Sequence, residues 1–258
     1  MKKLRVILPA FLLLAGAVAA QRRGFGGRFG GYGGGGESGY IPEDMHTARE
    51  VPSHSTGTSE WTNPAGFEKD VFTFVRVRRE RNPSSYGGSW STDTPDSDLN
   101  LSFRLQQMTS MKVSPDGWYL RLTDKELQDY PFIYMVEPGS LYLNQDEIVA
   151  LRKYLLNGGF LMLDDFWGDS EWNNAEHVMK QVFPDRGFVE LPLDHPIYHC
   201  VFQINSKGQV PNYRQGERSQ YDGVTWEVNH DGDVRTVHHR AIFDDKGRIM
   251  VIGLLNSD

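Results

Sequence analysis

Cysteine is nearly absent from this chain: among 258 residues there is one, Cys200. A single thiol excludes an internal disulfide framework, so the fold must be held by its core. A basic excess is also missing. Lys and Arg number 27 against 34 Asp and Glu, for a net charge of −7. Nucleic-acid binders recruit lysine and arginine, so an acidic chain argues against nucleic acid as a partner. Beyond the first 20 residues no stretch is apolar over the roughly 20 positions that a bilayer crossing requires.

What is present begins with "MKKLRVILPAFLLLAGAVAAQ". Lys2, Lys3 and Arg5 precede an apolar stretch from Val6 to about Leu14, and Ala17-Val18-Ala19 has the small-x-small form of a cleavage site. This predicts a signal peptide over 1–20 and an exported, periplasmic or extracellular mature protein. A retained membrane anchor is the alternative, disfavoured by the shortness of the apolar stretch. Cleavage would take the net charge from −7 to about −10 by removing three basic residues. Residues 22–40, "RRGFGGRFGGYGGGGESGY", are too glycine-dense to bury a core and predict a flexible linker. Their Arg/Gly/aromatic mixture also resembles RNA-binding segments, a reading the acidic body disfavours. Residues 41–66 are polar and rich in Pro, Ser and Thr, which predicts a loosely packed lead-in. The expected division is therefore 1–20 signal peptide, 21–66 linker and lead-in, and 67–258 one folded domain.

Within that domain, "VFTFVRVR" (71–78) predicts a strand, and Leu101, Leu105 and Met108 in "DSDLNLSFRLQQM" have helical spacing, with Asp96 or Asp98 as cap. "YLRL" (119–122) and "FIYMV" (132–136) read as strands, and "TDKE" (123–126) as a capping box. "NQDEIVALRKYLLNGG" predicts a helix capped by Asn144, lined by Ile148, Leu151 and Leu155, and stopped at Gly158 or Gly159. "FLML", a helix over about 174–182, then "FVEL", "YHCVF", "VHHRAIF" and "RIMVIGLL" complete the pattern. Strands apolar on both faces alternating with helices predict an α/β fold: three layers, a mostly parallel sheet with helices on both faces, flavodoxin-like.

The segments "FTFVRVR", "STDTPDSDLNLSFRLQQMTSMKV", "YPFIYMVEPGSLYL", "LRKYLLNGGFLMLDDFWG", "VFPDRGFVELPLDHPIYHCVF" and "AIFDDKGRIMVIGLLNSD", in this order, resemble the bacterial domain of unknown function DUF4159. The resemblance implies a fold similar to class I glutamine amidotransferases and ThuA-like proteins, and no reaction. "LDHPIYHCVF" is similar to an Asp-His-Pro-Ile segment of ThuA-like relatives. Similar members continue past the apolar strand where this chain stops, so a C-terminal truncation is expected. In the amidotransferases the turn after the strand equivalent to "FLML" carries a cysteine nucleophile. Here it carries Asp164, Asp165 and Phe166, so cysteine-dependent glutaminase chemistry is rejected, and Cys200 reads as a small core residue.

The doubly wound reading gathers loops at one sheet edge into a candidate cleft: Trp90, Asp93, Asp96, Glu137, Asp164, Asp165, Phe166, Trp167 and His195. Asp164 is expected to be the more buried aspartate, and Asp165, Phe166 and Trp167 the exposed lip. Bland roles stand beside these: Asp96 as a helix cap, Glu137 in a turn, the tryptophans as cover for the core. No cofactor is expected and no metal is assigned. His195 and His199 in an extended chain would be roughly 13 Å apart, too far to share an ion, and the carboxylates lack EF-hand spacing. Two functions remain open. One is a non-catalytic module binding a small molecule, a glycan or an envelope protein. The other is a carboxylate/His-dependent hydrolase acting on a carbohydrate or amide.

Overall fold

The computed structural model describes residues 41–53, 57–67, 70–80 and 88–258. The expected signal peptide and the glycine-rich stretch lie outside the described residues.

Seven strands form one sheet in the order β2-β1-β3-β4-β7-β6-β5. They are β1 (Val75–Val77), β2 (Trp118–Leu120), β3 (Phe132–Val136), β4 (Phe160–Phe166), β5 (Val189–Glu190), β6 (His238–Phe243) and β7 (Ile249–Leu255). β2, β1, β3, β4 and β7 run parallel, and β6 and β5 close one side antiparallel. Among the described residues four α-helices accompany them: α1 (Asp96–Met108), α2 (Gln145–Leu156), α3 (Gly168–Val182) and α4 (Tyr213–Asp222). The architecture is α/β with a mostly parallel sheet, consistent with a three-layer flavodoxin-like fold.

Period-two alternation in the parallel strands sends apolar side chains to both faces. Val75, Val77, Ile133, Met135, Leu161 and Leu163 meet Ile148, Leu151 and Leu155 of α2 and Val178 and Met179 of α3 in one core. Phe74, Tyr134 and Val136 pack on the opposite face, where Tyr119 meets Leu99 of α1 together with Ile41 and Ala48. α2 forms as its sequence predicts: the Asn144 side chain accepts from Asp146 N and Glu147 N, and Glu147 returns the bond to Asn144 N. Gly158 supplies the left-handed stop at φ 112°.

Several local expectations need correction. The buried stripe of α1 is Asp98, Leu99 and Ser102, while Leu101 and Met108 are exposed. The reason is Arg76, a sheet residue with no solvent exposure, which draws Asp98 inward as its partner. "TDKE" makes no capping box: the short 3-10 turn Lys125–Asp129 starts at Asp124 without a side-chain cap. "YHCVF" is not a strand; the chain there makes a 3-10 turn over Pro196–Tyr198 and then bends, which leaves Cys200 exposed rather than in the core. The lead-in is not loose either. Arg49 donates to Pro115 O, Thr58 O and Ser59 O, Trp61 Nε1 donates to Val113 O, and Arg78 reaches Glu43, Pro42 O and Met45 O.

Candidate functional site

The strand order reverses between β1 and β3, and doubly wound sheets bind ligands outside the carboxyl ends of the strands at such a switch point. The loop after β1 and the turn after β3 meet there. Arg79 is buried and donates to Val136 O, Glu137 O and Ser140 Oγ, and Ser140 Oγ donates to Gly88 O. Burial pushes the Arg79 guanidinium down to about 10. Gly88 N donates to Glu137 Oε2 at 3.2 Å, and a Cβ on Gly88 would lie 2.2 Å from the Glu137 carboxylate. A larger residue there would have to push the Glu137 side chain aside.

β4 shapes the next wall. Leu163 pairs with Gly253 and Phe166 with Leu255, so β4 spends one residue more than β7 over this stretch. The surplus is a bulge at Asp164-Asp165, with Asp165 at φ 58°. The bulge resets which face the following side chains occupy. Phe166 consequently rejoins Leu163 in the core, and Trp167 is buried as well. These two are buried and are not the exposed lip expected of them. Asp164 and Asp165 are both half-buried. Asp164 Oδ2 accepts from Tyr134 Oη at 3.2 Å, rather than being satisfied by a set of loop amides.

A third wall comes from the end of β7, which sequence reasoning missed. Asn256 is wholly buried at φ 65°. Its side-chain amide donates to Asp233 O and Thr236 O, its Oδ1 accepts from Gly168 N, and its backbone N bonds to Phe166 O. So anchored, Asn256 presents Asp258 to the bulge. Oxygen atoms of Asp93, Asp165 and Asp258 all lie within 4.8 Å of one another. Asp93, Glu137, Asp165 and Asn256 all carry positive φ without being glycine, and such strain collects at functional sites. The signal for Asp258 was an Asn-Ser-Asp at the end of an apolar strand, which topology alone brings beside β4.

The electrostatics follow from crowding acids at a partly dry edge. Burial, and then the charge of Glu171, raises Glu137 to about 7. Burial raises Asp164 to about 6 against the bonds from the Asp165 backbone and Tyr134. Burial and the charge of Asp258 hold Asp165 well above the usual carboxylate range. Burial and the charge of Asp93 lift Asp258 to about 7. Three oxygens at this spacing suit a hard divalent cation, Ca²⁺ or Mg²⁺, and equally suit hydroxyl donors of a ligand.

The other sequence-named residues fall elsewhere. Trp90 is half-buried, edge-on to Tyr119 and beneath the Arg78 guanidinium at 4.8 Å. Asp96 lies in the first turn of α1 and accepts from Ser53 Oγ. His195 is not a floor of the cleft. Its ring lies 6.3 Å from that of Phe243, which pairs with Ile249 at the start of β7, whereas Asp165 precedes Phe166, the partner of Leu255 at that strand's end. His195 Nδ1 accepts from Ile197 N. The imidazole near the acids is His230, held between Glu171 and Glu227 at 3.3 Å each. Those two bonds raise it to about 10.

Fold and site together define an α/β domain whose carboxyl sheet edge carries converging carboxylates and whose β4–α3 turn has no Cys or Ser. The chain belongs to the family described as "Domain of unknown function (DUF4159)", whose family model matches residues 73–258. No curated protein matches it. Among the described residues no helix is long and apolar enough to cross a membrane.

Proposed function

We propose that this chain is an exported, non-catalytic binding domain on an amidotransferase-like fold. Its ligand is hydroxyl-rich, a glycan or another cell-envelope component, held by Asp93, Asp165 and Asp258 at the carboxyl edge of the sheet. The observation that carries this reading is the convergence of those three carboxylates. Carboxylates accept short, strong bonds from hydroxyls, and donors brought by a ligand favour the ionised form that crowding and burial disfavour here. The expected export rests on Lys2, Lys3, Arg5 and the apolar stretch behind them. The hydrolase alternative needed His195 beside the aspartates, and the opposite ends of β7 separate them.

The test is calorimetric titration of the purified chain with a panel of neutral oligosaccharides, with and without Ca²⁺ or Mg²⁺. Saturable binding that is lost in Asp165→Asn and Asp258→Asn is expected. Binding that survives both substitutions, or none by any saccharide, would sink the reading. Binding that requires the cation would place an ion between the carboxylates and the sugar.

A further inference from the structure

A second site lies outside the acidic edge. α4 and the returning segment around Asn229 enclose a cavity of about 260 Å³. Arg214 and Arg218 both line it, four residues apart and so on one face of the helix, where two like charges repel unless something sits between them. Among the described residues the Arg218 side chain makes no hydrogen bond or ion pair, and both it and the Arg214 side chain are exposed. Arg214 donates through Nε to the Tyr213 hydroxyl at 3.0 Å, which leaves its two terminal nitrogens free to turn to the cavity.

The one acid in the lining is already occupied. Glu227 Oε1 accepts from Asn212 N and Nδ2, and Glu227 Oε2 faces His230 Nε2 at 3.3 Å. The bonds from Glu171 and Glu227 hold His230 up to about 10, and its positive charge is shared between those two carboxylates. Gln215 serves as scaffold: Asn212 Oδ1 accepts from its backbone N, and its side-chain amide donates to Val224 O. What remains to meet a ligand is two guanidinium forks and the Asn229 side-chain amide, on a chain whose net charge is −7.

We infer that this cavity binds a small oxyanion, the carboxylate of an organic acid or a phosphate. The planar fork of arginine matches both groups bidentately, and a ligand anion between Arg214 and Arg218 turns their repulsion into two charge-assisted contacts. The cavity is tied to the acidic edge without being part of it. Asp258 N donates to Val210 O at 2.7 Å, two residues before Asn212. The inference goes beyond the proposed function and does not rest on it.

Amide chemical shifts of the isotope-labelled full chain, followed during titration at constant ionic strength, test it. The probes are inorganic phosphate, glucuronate as a carboxylate that also bears hydroxyls, and glucose as the neutral control. Phosphate or glucuronate should saturably shift amides of residues 212–229, and glucose should not. The Arg214→Gln/Arg218→Gln double variant should lose about tenfold or more in affinity, as expected for removal of charge-assisted bonds, with an unchanged melting temperature because both side chains are exposed. Saturation by phosphate alone identifies a phosphate site, and by glucuronate alone a carboxylate site. Asp165→Asn should leave these shifts in place, so failure of the glycan reading would not touch the result. No saturation by either anion, or unchanged affinity in the double variant, overturns the inference.

Discussion

Arg76 and Asp98 form an ion pair with both side chains out of contact with water, joining β1 to α1 beneath the sheet edge. Arg76 Nε bonds both Asp98 oxygens at 2.9 and 3.1 Å, Nη1 reaches Trp90 O and Thr92 O, and Nη2 reaches Ser97 Oγ. The guanidinium also stands 4.9 Å from the Tyr134 ring centre. One side chain thus fixes the loop that delivers Asp93. Removing only the acid leaves a buried, uncompensated cation, which costs about 3–5 kcal/mol. Asp98→Ala should therefore lower the unfolding free energy by about that much in urea melts. Replacing both partners, Arg76→Met with Asp98→Leu, should restore much of the loss. A double variant as unstable as the single one would show that the Arg76 bonds to the loop backbone matter more than the ion pair.

Most of the fold could be read from the sequence because its strands are apolar on both faces and its main helix has a full capping box. The misreadings share one cause, that each depends on pairing or packing with residues distant in the chain. Leu101 and Met108 looked like a buried stripe since nothing local shows that Arg76 needs Asp98. Phe166 and Trp167 read as a lip because they follow "FLML" as a turn, whereas β4 runs on to Phe166 through a bulge at Asp164-Asp165 that is visible only in the pairing with β7. Asp93, Glu137, Asp164 and Asp165 were found at one edge because strand ends in this topology share it. His195 was misplaced because the "DHPIYH" segment turns at the opposite edge beside Phe243.

Tyr134 offers a direct probe of the dry edge. Its hydroxyl is the side-chain donor to Asp164 Oδ2 and favours the ionised form. Tyr134→Phe should raise the Asp164 pKa further above about 6 and cost about 0.5–1.5 kcal/mol. Carboxyl-carbon NMR titration reads the first effect and thermal melts the second. An Asp164 pKa that falls in the variant would refute the assignment of the bond.

Cys200 is exposed, with its thiol 3.3 Å from Ile197 O. An accessible thiol outside the core should react fully with a thiol reagent in the native protein. Cys200→Ser should change the melting temperature little, since surface substitutions stay within about 0.5 kcal/mol. Labelling that waits for denaturant would return Cys200 to the core.

The strongest prediction concerns the sign of pH dependence at the bulge. Asp165, Glu137 and Asp258 are all raised when folded, the last two to about 7. Between an unfolded carboxylate value near 4 and these folded values, the native state holds more protons than the unfolded chain. Their contribution is therefore complete below about pH 4 and is lost as pH rises through about 7. Carboxylates held low in the fold, such as Glu190 and Glu227, pull the other way at acid pH. The difference between a variant and the parent isolates the cluster. Asp165→Asn keeps a residue that tolerates φ 58° and removes one charge from the group. Its melting temperature should exceed that of the parent at pH 8, and the gain should vanish near pH 4.5. A saturating ligand or divalent cation should abolish the gain by neutralising the parent's cluster instead. A gain that is constant from pH 4.5 to pH 8 would mean that the three acids do not repel one another in the folded protein, and that the carboxyl edge is not poised for a ligand.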